Sequence, residues 1–364
     1  MLRASLPLLS NLLSNCHALS PLRFAWIGGF GHAGSVFDEL LKFPSGRVSL
    51  CGFSPAYPGE DMASFVAHPW VEGTQASSYA SSADLLEAAA PDVLIVSTRP
   101  DRIAPVALAG LKAGCHLILE KPIALDMPSL EQLHQAAQKR NRKIMAMLSM
   151  RAIPVFVKAR EALQAGKIGV PVLVNTRKSY QWGNRPAWFN DRKLYGGTWP
   201  WIGIHNLDIA HFLTGCRALS VSALHGNACH PDMPDCEDVA CAVFSLEGGV
   251  KMTASIDLCN PATAPTWGDD WCRVVGSKGV MEASAATGKL TLLNAVGLSE
   301  MSVPSDSPEP IFTKFIDALT ANPGDCDSTA FHLTAAALAA RESADSGRPV
   351  EIDPARWEGP VTHI

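Results

Sequence analysis

A short apolar stretch, Phe24 to Ile27, runs straight into Gly28-Gly29-Phe30-Gly31-His32-Ala33-Gly34 and then into an amphipathic segment reaching Leu41. Few patterns constrain a fold as tightly as G-x-G-x-x-G set between a strand and a helix. Gly29 permits the tight turn, Gly31 lets backbone approach a pyrophosphate, and Gly34 lets the helix pack on the strand. The helix start then offers unpaired N–H groups and the positive end of its dipole to phosphates. The stretch predicts a dinucleotide-binding loop, with Phe30 inside it among the cofactor contacts.

The rhythm that follows supports this. Arg47–Phe53, Val93–Ser97, His116–Leu119 and Lys143–Leu148 read as short, almost wholly apolar strands. Ser82–Ala89, Ala104–Ala113 and Ser129–Asn141 read as the helices between them, the last with Ser129 as its N-cap. Such alternation means a parallel sheet covered on both faces. Ligands of these sheets sit at the carboxyl ends of the strands, where Gly29, Ser54, Thr98 and Lys121 fall. The second strand ends on Ser54 and lacks the carboxylate that would hold the adenosine ribose of NAD. The pattern leaves NAD and NADP both open and tilts slightly to NADP.

At 364 residues the chain exceeds one ordinary core, so two domains are expected. We place an extension at 1–22, poorly ordered or targeting, a Rossmann domain at 23–148, and a substrate and oligomerisation domain at 149–364. The extension is rich in Leu and Ser; an organellar or export signal is the alternative to an inert leader. A net charge of −5 with no basic run argues against a nucleic-acid partner. No apolar stretch approaches a membrane span. Ten scattered cysteines without a Cys-x-x-Cys pair suggest free thiols in a reducing, cytoplasmic setting, and no zinc spacing is visible.

After Leu148 the pattern changes. Arg151–Gly166 reads as helix and Val172–Lys178 as strand. An irregular segment to Pro200 follows, carrying Trp182, Trp188 and Trp199, with Trp201 just beyond. These rings can form a platform for a sugar or pack between domains. From Ala218 onward short alternating strands and Gly-rich turns predict an open, mostly antiparallel sheet. Helices near Ile311–Asn322 and Ser328–Ser346 close the chain.

Two features carry chemistry. Glu120-Lys121-Pro122 places a lysine where a buried strand leaves the sheet; lysine is seldom buried without a partner or a task, though a solvated turn reads equally well in isolation. Ile204 to Gly215 reads as a helix in which His205 and Asp208 share a face. A histidine oriented by a carboxylate is a general base. The competing readings are a satisfied core histidine, or a metal site of His205, Asp208 and His211, whose third member lies too far around the helix.

These residues resemble the Gfo/Idh/MocA family of nicotinamide-dependent oxidoreductases from Phe24 to Ile352. The resemblance rests on ordered signals: the Gly29–Gly34 fingerprint, Glu120-Lys121-Pro122, Arg151-x-x-Pro154, Gly166-Lys167-Ile168-Gly169, Tyr195-Gly196-Gly197, Gly203-Ile204-His205-x-x-Asp208, and Ser346 to Val350. It implies a Rossmann domain, a C-terminal α+β domain whose open sheet forms a homo-oligomer interface, and hydride transfer between NAD or NADP and a sugar-like alcohol. It also implies roles: Lys121 and His205 catalytic; Asp208, Trp201, Arg151 and Tyr195 at the substrate; Gly29, Phe30, Gly31, Gly34, Ser54, Thr98, Glu120 and Lys121 at the cofactor. Trp201 stands where many relatives have Asp, which removes a carboxylate from the proton relay. Arg99 and Ile103 replace a Pro and a His beyond Thr98.

The expected function is an NAD(P)-dependent oxidoreductase acting on a secondary hydroxyl of a sugar, glycoside or cyclitol. The alternatives are an NAD-dependent glycosidase or lyase using transient C3 oxidation, and a non-catalytic dinucleotide-binding regulator.

Overall fold

The computed structural model describes residues 21–43, 46–303, 310–321 and 328–358; the expected N-terminal extension lies outside them save for residues 21–22. Six strands form the first sheet: β1 Leu22–Ile27, β2 Val48–Ser54, β3 Ser77–Ser78, β4 Val93–Val96, β5 His116–Leu119 and β6 Ile144–Ala146. Their order is β3-β2-β1-β4-β5-β6 and every pairing is parallel. This is the doubly wound arrangement whose ligand crevice opens where the order reverses, between β1 and β4. Phe24, Ala25, Trp26 and Ile27 have no exposed surface. Ala25 and Ile27 meet Leu94 and Val96 on one face, while Phe24 and Trp26 meet Val93 and Ile95 on the other. Burial on both faces explains why the strand is apolar throughout.

The second sheet has nine strands: β7 Pro171–Gln181, β8 Ala218–Gly226, β9 Val239–Leu246, β10 Lys251–Asn260, β11 Gly268–Gly276, β12 Gly279–Ser284, β13 Lys289–Asn294, β14 Gly297–Met301 and β15 Val350–Glu351. Their order is β14-β13-β12-β11-β7-β10-β9-β8-β15. Only β7 and β10 pair in parallel. The short strands β3, β14 and β15 carry too little pattern to stand out in the sequence. No helix among the described residues is long and apolar enough to cross a membrane.

Several boundaries move. The helix expected from Ala104 begins at Pro100, as proline suits a first helical turn. The helix expected from Ser129 begins at Met127, and its cap is Asp126, whose carboxylate accepts the Ser129 N–H at 2.7 Å. Gly215 closes the histidine helix, Ile204–Thr214, with φ +74°. That helix is entered through a π-helical turn, Trp199–Gly203, a local widening of the helix common at functional sites.

The helix Ile311–Ala321 crosses back to the first sheet. Phe312, Ile316 and Leu319 pack with Phe24, Trp26 and Phe37. Its first N–H groups, from Ile311, Phe312 and Thr313, donate to the Glu39 carboxylate at 3.1, 2.9 and 3.0 Å. Burial raises the Glu39 pKa and these bonds oppose that shift. A cap of this kind is worth about 1 kcal/mol. Glu39→Ala is expected to lower unfolding stability by about that much in urea titration, and no change would remove the capping role.

Candidate active site

The glycine loop hangs between two strand ends. Gly28 N–H donates to Ser54 O at 3.0 Å, Phe30 N–H donates to Ser97 O at 2.9 Å, and Ser97 Oγ donates back to Phe30 O at 2.7 Å. The left-handed backbone sits at Gly28 (φ +90°) and Gly31 (φ +111°). A Cβ at Gly28 would lie 2.5 Å from Ser97 O, and one at Gly31 would strike the Glu120 carboxylate. The turn glycine is therefore Gly28, one residue before the expected Gly29, which instead lies under the Asp61 carbonyl. A Cβ at Gly34 would meet nothing within 4 Å, so its small size does not serve helix–strand packing. The helix Ala33–Leu40 has no capping side chain and no acid in its first turn. Its N-terminus thus keeps the donor set that suits a pyrophosphate, and the loop fits a dinucleotide.

Ser54 and Thr98 are fully buried. The Ser54 hydroxyl makes no hydrogen bond among the described residues. Thr98 Oγ1 donates at 2.5 Å to Glu60, which also accepts the Ala56 N–H at 2.6 Å and a bond from the Gly29 backbone. Burial raises the Glu60 pKa against those bonds. Glu60 carries no sequence signal: it lies in the loop after β2, where spacing assigns no role. Its carboxylate approaches the glycine loop, on the side where β2 lacked an acid.

Glu120 and Lys121 leave β5 into the crevice. Glu120 has no exposed surface; its carboxylate accepts from the His32 N–H, His32 Nδ1 (2.9 Å) and the Lys121 N–H (2.9 Å). Burial opposes its ionisation, but His32 and Lys121 hold its pKa below the usual carboxylate range. The Lys121–Pro122 peptide is cis. Lys121 is 2% exposed. Its Nζ donates to Trp201 O at 2.5 Å and lies 3.7 Å from the centre of the Trp201 ring. Desolvation, reinforced by Lys178 and Arg185 and opposed by Glu120, lowers its pKa to about 7.

His205 is 3% exposed and its Nδ1 has no hydrogen-bond partner among the described residues. Its ring centre lies 5.5 Å from that of His32. Desolvation, then the charges of Lys121 and Lys178, hold its pKa well below the usual histidine value. Lys178, on β7, escaped the sequence reading. Its ammonium pairs with Asp270 at 2.7 Å and is buried. The only signal was a lysine at an inward position of an alternating strand.

The expected substrate residues divide. Asp208 is fully buried and its carboxylate accepts from Arg151 Nε at 2.6 Å. Three-residue spacing gave Asp208 and His205 a common face, but Asp208 turns to Arg151. Tyr195 is also turned inward: its hydroxyl donates to Glu237 and meets Thr198 Oγ1 at 3.0 Å. Trp201 lies at the centre. It stacks on Phe30 of the glycine loop at 5.8 Å, and Phe189 and Trp188 continue the aromatic wall. Trp199 is buried against Phe244, and Trp182 stacks on His230. Away from this site, donor atoms of Cys229, Asp238 and Cys259 lie within 4.8 Å of one another, but three backbone N–H groups and His230 already occupy the Asp238 carboxylate.

Residues 27–148 match the model of the oxidoreductase family with an NAD-binding Rossmann fold, and residues 156–282 match the GFO/IDH/MocA C-terminal domain. The chain belongs to the Gfo/Idh/MocA family. Gfo/Idh/MocA membership makes it an oxidoreductase. A solved Thermotoga maritima structure described as an oxidoreductase is 32% identical and superposes with a TM-score of 0.84, covering 91% of this chain and all of that one. Inositol 2-dehydrogenase/D-chiro-inositol 3-dehydrogenase of Lactiplantibacillus plantarum is 23% identical over 74% of this chain and 73% of its own length. The scyllo-inositol 2-dehydrogenase (NAD(+)) of Bacillus subtilis is 28% identical over 61% of this chain and 64% of its own length.

Proposed function

We propose that this Gfo/Idh/MocA protein is a dehydrogenase acting on a secondary hydroxyl of a sugar, glycoside or cyclitol, with Lys121 and His205 as its catalytic pair. The observation that carries the reading is the pairing of a buried lysine and a buried neutral histidine beside the glycine loop, both with lowered proton affinity. The inositol dehydrogenases among its relatives support the substrate class.

Gly28, Phe30, Gly31 and the start of the helix Ala33–Leu40 would hold the dinucleotide, with Thr98 and Glu120 beside it. When bound, the nicotinamide supplies the hydride acceptor or donor. His205 takes the hydroxyl proton, for which its unprotonated state at neutral pH suits it. The Lys121 ammonium faces the same oxygen and stabilises charge that develops there. Glu120 fixes the loop by binding His32 and the Lys121 N–H. Arg151 and Asp208 brace the histidine helix. We read the cofactor as NAD: the Glu60 carboxylate, which reaches the glycine loop from the loop after β2, would repel an added phosphate, which outweighs the tilt that Ser54 gave to NADP.

A panel of sugars, sugar acids, cyclitols and glycosides, offered with NAD and NADP and followed by nicotinamide absorbance, tests this. We expect oxidation of a polyol or sugar with NAD preferred. Glycoside cleavage without net change in reduced nicotinamide would replace the reading with the glycosidase one. We also read the open face of the second sheet, where Leu224 and Val243 are 64% and 55% exposed, as a contact between copies of the chain. A monomer in sedimentation equilibrium would remove that proposal.

A further inference from the structure

Most basic side chains around the site have an acid. Lys178 pairs with Asp270, Arg151 with Asp208, Arg192 with Glu237 and Asp345, and His32 with Glu120. Arg185 has none among the described residues. Its guanidinium carbon lies 4.6 Å over the Trp182 ring and 5.0 Å over the Phe189 ring. Its Nε is buried and makes no hydrogen bond among the described residues. Desolvation lowers its proton affinity, and no carboxylate offsets that effect.

A partly buried guanidinium without a counter-ion is costly to keep. Two aromatic faces hold its plane and recover part of the cost, but they leave its in-plane donors unused. Those donors form a fork that matches a carboxylate or phosphate. The position is also informative. The Phe189 ring under Arg185 packs on Trp201, 5.8 Å away, and Trp201 covers the Lys121 ammonium. Arg185 and Lys121 therefore share one aromatic wall, and the charge of Arg185 is felt at Lys121. The dinucleotide phosphates have their own donors at the glycine loop, so the anion that Arg185 awaits comes with the other reactant.

We propose that Arg185 is a specificity-determining residue and that the substrate is an anionic sugar derivative, a sugar acid or a sugar phosphate, whose charged group it binds while the reacting hydroxyl lies at Lys121. The proposal rests on the dehydrogenase reading and narrows its substrate class.

The test uses the full chain and its Arg185→Ala and Arg185→Lys variants. Calorimetric titrations with NADH present compare D-glucuronate, its neutral amide, glucose 6-phosphate and glucose; separate titrations give the NADH dissociation constant. Wild type is expected to bind one of the two anions at least about 10-fold tighter than its neutral counterpart, a preference that collapses in Arg185→Ala and partly survives in Arg185→Lys. The glucuronate and glucose 6-phosphate arms separate a carboxylate from a phosphate. Equal affinity for charged and neutral forms in wild type overturns the proposal. So does an Arg185→Ala loss that is the same for both forms, which marks a structural role, or one confined to NADH, which marks a cofactor clamp. Turnover on the same panel keeps the two readings apart. Arg185-dependent anion binding without any hydride transfer would sink the dehydrogenase reading alone. Oxidation of neutral polyols with no anion preference would sink only this one.

Discussion

Lys121→Ala is expected to lower turnover on the true substrate on the order of 10³-fold, about 4 kcal/mol of barrier, while dinucleotide binding is largely kept. The reason is geometric. Lys121 emerges from β5 into the crevice between β1 and β4, sealed by Trp201 and anchored through its backbone N–H to Glu120. An ammonium held there is preorganised, and low dielectric makes it worth far more to a forming alkoxide than it would be in water. Its pKa of about 7 gives a second signature. The charged form fades as pH rises through neutrality, so kcat/KM for oxidation should fall above pH 7 in wild type. Lys121→Arg, which stays charged, should lose that limb. The stability effect has the opposite sense. The group titrates near 7 folded and 10.5 unfolded, so between those values the unfolded chain binds the extra proton and stability rises with pH. Lys121→Ala should remove that rise. If turnover is unchanged in the variant, Lys121 has no catalytic role.

The sequence revealed the fold well because its signals are local. A strand, a glycine turn and a helix are contiguous, and alternation of apolar strands with helices needs no tertiary information. Lys121 and His205 were legible for the same reason: one ends a strand, the other opens a helix after Gly203. What pairs with them was not. Asp208 shares a helical face with His205, but its partner is Arg151, 57 residues away in sequence. Lys178 enters the site because β7 and β11 set it opposite Asp270. Glu60 reaches Thr98 and Gly29 by a loop whose path no spacing rule gives. Trp201 was visible as a departure from the family's Asp, but only its contact with Phe30 shows that it ties the histidine helix to the glycine loop.

That tie bears on the second large effect. His205→Gln should cost about 10²- to 10⁴-fold in kcat/KM for oxidation, the usual worth of a positioned general base. Glutamine keeps hydrogen-bonding capacity and approximate size but cannot take a proton, so the loss reads base chemistry rather than packing. His205 is suited to the task by what surrounds it. Burial, Lys121 and Lys178 favour the neutral ring, and its Nδ1 has no hydrogen-bond partner among the described residues. No carboxylate stands four residues earlier, where Trp201 now sits, so nothing at that position raises its basicity. The sign of the pH effect follows. The active ring is unprotonated, its pKa lies below the usual 6.5, and activity should be lost only as pH falls through that lowered value. His205→Gln should abolish this acid limb and leave the Lys121 limb above neutrality in place. Retention of the acid limb in the variant would assign it to another group and remove His205 as the base.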